Sequence, residues 1–198
     1  MELCEYGGEI MASFTRKAIM ESFVTLLNEK PLNKITIKDI VEACGINRNT
    51  FYYHFQDVPD LIEAIVKEES DAIIAKYADV ASYEECLDIA VEFILKNRRA
   101  TLHMYNSANR DIFERYLMQL CQYVVETFVK TAYSDRNISD FDRAVLVRSY
   151  KCHCFGLFID WLNDGLKEDI QPMLHRLCEL RHGMIEEMFD RCEAKEAK

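Results

Sequence analysis

Residues 36–55 read Thr-Ile-Lys-Asp-Ile-Val-Glu-Ala-Cys-Gly-Ile-Asn-Arg-Asn-Thr-Phe-Tyr-Tyr-His-Phe. Thr36 followed three residues later by Asp39 is a Thr-x-x-acid pattern: the hydroxyl accepts from the third amide of a helix and the acid sits in its positive first turn. A helix is therefore predicted from Ile37. Ile37, Ile40, Val41 and Cys44 repeat at i, i+3, i+4, i+7, a stripe that can be buried, while Lys38, Asp39 and Glu42 fall mainly outside it. Gly45 can enter the left-handed region without steric cost and ends that helix in a sharp turn. Asn47 can cap a second helix, in which Phe51 and Phe55 lie four apart as core contacts.

A short helix, a glycine turn and a second helix with a polar, aromatic leading end is the geometry that seats a recognition helix in the DNA major groove. The recognition helix is placed at 47–55. Arg48 and Asn49 suit bidentate contacts to base edges, Thr50 a base or a phosphate, and Tyr53 and His54 phosphate oxygens. With Thr36, Lys38, Asn47 and Tyr52 these form the expected DNA-binding set. The same spacing also fits a plain helical hairpin of an all-α protein, so pattern alone leaves both readings open.

The run from Ile35 to Leu61 resembles the DNA-binding domain of the TetR/AcrR (tetracycline-repressor) family of bacterial regulators. Ile46, Thr50, Phe51, Tyr52, His54, Phe55 and Leu61 match its pattern in register, and Asn47 stands where a capping serine is usual. The resemblance extends over Phe14 to about Ala64. It departs at Val58, where the family commonly places a phosphate-contacting lysine, which implies weaker or differently anchored DNA binding. The resemblance implies a dimeric transcriptional regulator, usually a repressor, on a palindromic double-stranded operator, with a small-molecule effector site in a C-terminal helical bundle. The competing reading is a family-like adaptor or co-regulator acting by protein–protein contact, motivated by Val58 and a small basic margin.

That margin comes from the charge distribution. The net charge is −10. Residues 1–11 carry three acids and no base, residues 12–56 six bases and four acids, and residues 57–198 eighteen bases and twenty-seven acids. Positive charge is confined to the helix-turn-helix segment, and the acidic remainder favours docking on DNA by one end.

Three prolines and six glycines in 198 residues, with 49% hydrophobic residues, predict an all-α chain. Three parts are expected: a mobile N-terminal arm at 1–12, in which Met11 offers an alternative start, a helix-turn-helix domain at 13–56, and a regulatory and dimerisation domain at 57–198. The first helix is expected over Phe14–Asn28. Asp57 should cap a helix onward from Pro59, Ser82-x-x-Glu85 and Ser139-x-x-Asp142 should cap two more, and Gly165 should end the latter. A short helix is expected over Arg98–Tyr105, a long one from Asp111 to about Tyr133, and a last one from Ile170 to Cys192. No apolar run reaches the ~20 residues of a membrane span and no signal peptide is evident, so a cytoplasmic location is expected.

The helix with Phe155, Leu157, Phe158, Ile159, Trp161 and Leu162 is apolar all round, so one face can fill the core and another meet a partner. It resembles the penultimate helix of the same family, and a homodimer interface is expected from Phe155, Phe158, Trp161, Leu162, Leu177, Leu180, Met184 and Met188. A buried helix of a monomer is the competing reading. Candidate effector-pocket residues are Tyr105, Tyr116, Met118, Tyr123, Phe128, Tyr150 and His153, although aromatic residues at helical spacing are most often core.

Eight scattered cysteines read as small buried hydrophobes. Cys152-His153-Cys154 cannot converge on one ion from a helix, and His175, Cys178 and His182 share a face but lack a fourth ligand, so no metal is expected. No catalytic constellation stands out; neither enzyme activity nor a cofactor is expected.

Overall fold

A computed structural model describes residues 2–76 and 82–196, with side chains described from residue 12 to 193. Among the described residues the chain is helical without strands: α1 (Glu2–Glu29), a 3-10 turn (Leu32–Lys34), α2 (Ile37–Cys44), α3 (Arg48–His54), α4 (Val58–Lys76), α5 (Tyr83–Leu95), α6 (Arg98–Tyr105), α7 (Arg110–Ala132), α8 (Asp140–Asn163), α9 (Gln171–Leu180) and α10 (Met184–Glu196). The caps read from sequence form. Thr36 Oγ1 accepts from Asp39 N at 3.2 Å, Ser82 Oγ from Glu85 N at 3.1 Å, Ser139 Oγ from Asp142 N at 3.1 Å, and Asp57 Oδ1 from Asp60 N at 2.8 Å. Gly165 ends α8 with a φ of 78°.

Two expected elements differ. The backbone of α1 is helical from Glu2 rather than Phe14, so residues 2–11 continue the helix where an arm was expected; Glu2, Leu3, Glu5, Glu9 and Met11 are good helix formers that outweigh the Gly7-Gly8 pair. The helix expected over Ile170–Cys192 is two helices, broken at Arg181–Gly183, where Gly183 takes a φ of 79°.

The chain divides into two compact units, one of Met1–Glu68 with Leu95–Glu114, the other of Glu69–Ile94 with Arg115–Lys198. This is not a cut at residue 57, because α6 belongs with the helix-turn-helix. In the first unit, Ile19, Phe23 and Leu27 of α1, Ile40 of α2, Phe51 of α3 and Leu61 of α4 are buried, and α1 packs on α2 and α6.

The α1–α6 junction is a reciprocal cap. The carbonyl of Leu27, in the last turn of α1, has no onward helical partner, and His103 Nδ1 of α6 donates to it at 2.6 Å. Asn97, at the N-cap of α6, makes no side-chain cap bond; Asn28 of α1 supplies it, its Oδ1 accepting from Ala100 N at 3.1 Å. Asn28 Nδ2 in turn donates to Val24 O at 2.9 Å, which holds its amide oxygen toward α6.

In the second unit, Leu87, Ile94, Leu120, Val124, Cys154 and Phe158 are buried side chains. On α8 the inward stripe is Leu146, Tyr150, Cys154, Phe158, Trp161 and Leu162. Phe158, at 0% exposure, Trp161 and Leu162 are therefore core, and Trp161 Nε1 donates to Glu168 O at 2.9 Å. Their expected place in a partner interface is corrected, since a helix apolar on every side conceals which stripe its own unit covers. The opposite side of α8 leaves Phe141 71% exposed, with Val145, Cys152 and Gly156 also exposed. Of the other expected interface residues, Leu180 is 65% exposed and Met184 is exposed, while Phe155, Leu177 and Met188 are half-buried. No helix among the described residues is long and apolar enough to cross a membrane.

Candidate nucleic-acid interface

The helix-turn-helix is assembled by local bonds that the sequence encodes. Asp39 Oδ2 accepts from Thr36 N at 2.7 Å while Thr36 Oγ1 accepts from Asp39 N, closing a capping box on α2. The Thr36 hydroxyl, which donates to Asp39 Oδ2 at 2.7 Å, the Thr36 N–H bond to the same oxygen and the Lys30 ammonium, 3.2 Å from Asp39 Oδ1, hold the Asp39 carboxyl at about 2, below its ordinary 3.8. Gly45 turns the chain with a φ of 71°, its N–H donating to Glu42 O at 3.3 Å, and Ile46 N donates to Val41 O at 3.0 Å. That double closure of the α2 C-terminus aims the chain into α3. Asn47 Oδ1 then accepts from Thr50 N at 2.9 Å and from Thr50 Oγ1 at 3.2 Å.

These caps sort the expected DNA-binding set. Thr36, Asn47 and Thr50 spend side-chain polar atoms on the helix starts, so their first role is to fix the axis of α3. Lys38 pairs with Glu42 at 3.6 Å. Arg48 and Asn49 are exposed, and among the described residues Arg48 makes no ion pair. At about 100° per residue, Phe51 facing inward places Asn49 and Tyr53 on the outward crest of α3 and Thr50 and Tyr52 on its two sides. Exposure agrees: Tyr53 is 78% and Tyr52 52% exposed, whereas Phe51 is at 0%. Two large aromatic side chains facing water on a seven-residue helix are a feature for contact, because burial alone would turn them inward.

His54 sits lower, half-buried, with its ring edge-on to Tyr53 at 5.0 Å. Burial and the Arg16 guanidinium lower its pKa, so it faces its surroundings as a neutral imidazole at pH 7. Arg16 itself pairs with Glu68 and lies 5.3 Å over the Phe55 ring. Around the two ends of α2, Lys30 is partly neutralised by Asp39, while Lys34 makes no ion pair among the described residues.

The second unit holds a cavity of about 570 Å³ lined by side chains of α5, α7, α8, α9, α10 and the α9–α10 turn. Phe128 and Tyr150, two of the expected pocket residues, line it, and His153 lies directly behind, its Nδ1 accepting from the Tyr83 hydroxyl at 2.7 Å. Tyr105, Tyr116, Met118 and Tyr123 do not line it. Tyr105 belongs to the first unit, buried with the Arg110 guanidinium 3.9 Å over its ring; the other three are half-buried side chains of α7 outside the cavity lining. Sequence reading missed Tyr83, Tyr133, Arg181 and Glu186. Tyr83 was hidden beside its own cap Ser82, and Arg181 became visible as a wall only once α9 and α10 part. His175, Cys178 and His182 do line this cavity, but among the described residues no group of three or more His, Cys, Asp or Glu is placed to hold a metal ion.

Comparison with known proteins gives this geometry a context. Residues 82–183, more than half of the chain, match a family model described as "Transcriptional regulator C-terminal region", and residues 19–65 match "Bacterial regulatory proteins, tetR family". Over 174 residues the chain is 20% identical to the uncharacterized HTH-type transcriptional regulator YxbF of Bacillus subtilis (strain 168), covering 82% of this chain and 43% of that protein. Over 84 residues it is 25% identical to the dhaKLM operon transcriptional activator DhaS of Lactococcus lactis subsp. lactis (strain IL1403), 42% of this chain and 45% of the relative. The chain thus spans less than half the length of these curated relatives. Among solved structures, the dihydroxyacetone kinase operon activator DhaS superposes with a TM-score of 0.69 at 15% identity, covering 91% of this chain and 97% of that one. Native NalD, the secondary repressor of the MexAB-OprM multidrug efflux pump in Pseudomonas aeruginosa, gives 0.58 at 21% identity, covering 85% and 94%. Those likenesses establish a shared fold. One family match falls on the capped helix-turn-helix and the other on the helical unit that holds the cavity, and on that ground the chain belongs to the TetR family of bacterial regulatory proteins.

Proposed function

We propose that this chain is a sequence-specific DNA-binding transcriptional regulator, acting as a homodimer on a two-fold symmetric operator and responding to a small molecule in the cavity of its second unit. The observation that carries the reading is the crest of α3, where Asn49 and Tyr53 face outward from a helix whose axis is fixed by Gly45 and two side-chain caps. Asn49 reads a base edge, Tyr53 packs against a base or sugar from the same crest, and Arg48 and Tyr52 contact base or backbone at the flank. Thr36 and Asn47 hold the two helix starts through their caps, and Lys34 supplies charge toward the phosphates. The relatives include an activator and a repressor, so the reading commits to operator binding and not to its sign.

Two copies would meet through the solvent face of α8, Phe141, Val145, Cys152 and Gly156, with Leu180 and Met184 from α9 and α10. That stripe lies opposite the Phe158 core stripe and leaves apolar area exposed that pairing would cover.

The test is a competition assay on the site recovered from random DNA. Asn49→Ala should weaken the specific site by about 1–3 kcal/mol and relax preference at one position per half-site. Lys34→Ala should weaken all sequences alike and reduce the salt slope by about one. The adaptor reading is favoured by one observation, the pairing of Lys30 with Asp39 and of Lys38 with Glu42 beside Val58 at the start of α4. Exposed pairs of this kind contribute only about 0–1 kcal/mol, so a phosphate can compete for either lysine. A dimer with no sequence preference at low salt would favour the adaptor.

A further inference from the structure

We propose that the cavity of the second unit takes a planar aromatic carboxylate, its anionic end on the Arg181 guanidinium and its ring among Phe128, Tyr133 and Tyr150. The inference deepens the effector reading and rests on it for its regulatory meaning. It begins with Arg181, which closes α9 and projects into the cavity wall. Its guanidinium lies 5.0 Å over the Tyr150 ring and 5.6 Å from the Tyr83 ring, and its Nη1 rests 3.0 Å and 3.1 Å from the two ring nitrogens of His153. His153 is a neutral partner, since burial first and the Arg181 charge second lower its pKa. Tyr83 is held protonated by burial, so its hydroxyl donates to His153 and carries no charge to offset the arginine.

Among the described residues no carboxylate lies within ion-pair distance of Arg181. The acids that line the cavity are engaged elsewhere. Glu84 is 2.9 Å and Glu179 3.3 Å from the two nitrogens of His175, whose pKa they raise, and Glu179 also pairs with Arg176 at 2.6 Å. Glu186 accepts from the Tyr133 hydroxyl at 3.0 Å. What remains is a half-buried guanidinium whose polar neighbours, the His153 imidazole and the Tyr150 hydroxyl, are both neutral. A guanidinium has five N–H donors, and its remaining fork matches a carboxylate. A cationic ligand would meet Arg181 on the ring faces that attract cations, and a neutral one would leave the guanidinium without a counter-charge. Four aromatic side chains and a volume of about 570 Å³ fit a body of one or two rings.

The test uses the full chain and a probe panel of benzoate, trans-cinnamate and indole-3-acetate, with cinnamamide and cinnamylamine as neutral and cationic controls, read by ligand-observed NMR and calorimetry. At least one carboxylate should bind, with trans-cinnamate at least about tenfold tighter than cinnamamide. Arg181→Gln should lose about ten- to a hundredfold of carboxylate affinity while leaving cinnamamide unchanged, the range of a charge-assisted hydrogen bond. Arg181→Lys should recover part of the loss, and circular dichroism checks that both variants fold. Equal binding of cinnamate and cinnamamide, preference for cinnamylamine, no binding by any carboxylate, or an unaffected Arg181→Gln would each overturn the proposal. Anisotropy on labelled operator separates the two readings. Carboxylate binding through Arg181 without any change in DNA affinity sustains this inference and ends the effector reading, whereas specific DNA binding without carboxylate binding does the reverse.

Discussion

Asn28 and Asn97 are both asparagines near the start of α6, and the structure assigns the capping work to the distant one. Asn97 occupies the N-cap position but makes no side-chain cap bond, while Asn28 on α1 accepts from Ala100 N at 3.1 Å. Losing an N-cap side chain costs about 0.5–2 kcal/mol, so Asn28→Ala should destabilise by about 1 kcal/mol and Asn97→Ala by a few tenths. His103→Ala removes the donor to Leu27 O, a half-buried bond whose loss leaves a helix-end carbonyl unpaired, at about 1–2 kcal/mol. Because both bonds close one junction, the double variant should show a coupling of about 0.5 kcal/mol or more. Urea unfolding followed by far-ultraviolet circular dichroism measures each, with Trp161, the single tryptophan, as a second probe reporting the other unit. If Asn97→Ala costs as much as Asn28→Ala, or the two junction losses simply add, the reciprocal cap is refuted.

Further outcomes follow from burial and charge. Phe158→Glu should abolish folding because it buries a charge in the core, while Val145→Glu should keep the helix content and shift sedimentation from dimer to monomer. Cys152, on the exposed face of α8 that a second copy would cover, should react faster with a thiol reagent in the Val145→Glu monomer than in the wild-type dimer. Cys86, Cys121 and Cys154 should react only after unfolding, being buried, with the Cys86 and Cys154 thiols also shifted upward in pKa. Asp39 is depressed from 3.8 to about 2 in the folded chain, so its contribution is fully present above about 4 and is lost as the pH falls toward 2. Asp39→Asn should therefore flatten the acid limb of the stability profile and leave the dependence between pH 5 and 8 unchanged.

The local parts of this molecule were legible because their causes are local. Thr36 with Asp39, Gly45, Asn47 and the Phe51/Phe55 pair each act within a few residues, and each forms as read. The starts of α5 and α8 likewise follow from Ser82 and Ser139. What was not legible depends on distant partners. Arg181 and Tyr83 meet across nearly a hundred residues, so no periodicity marks them as one wall. The break at Gly183 was masked because Leu180, Met184 and Met188 continue an apolar repeat through it. Which stripe of α8 faces inward could not be read either, since Phe158 and Trp161 on one side and Phe141 and Val145 on the other are equally apolar, and only packing within the unit selects between them. The sequence pairs Tyr53 with His54 as phosphate contacts, whereas their depth on α3, with Phe51 turned inward, differs: Tyr53 stands on the crest beside Asn49 and His54 is half-buried.

Sequence selection from a random DNA pool with the purified protein, followed by the same selection with Asn49→Ala, tests the central claim most directly. The expected result is a palindromic motif with half-site centres about one helical turn, or a multiple of it, apart, in which the variant loses preference at one symmetric pair of positions and keeps the rest. A wild-type dimer that enriches no motif at low salt, or a motif that Asn49→Ala leaves unchanged at every position, would contradict the reading of α3 as the element that recognises DNA.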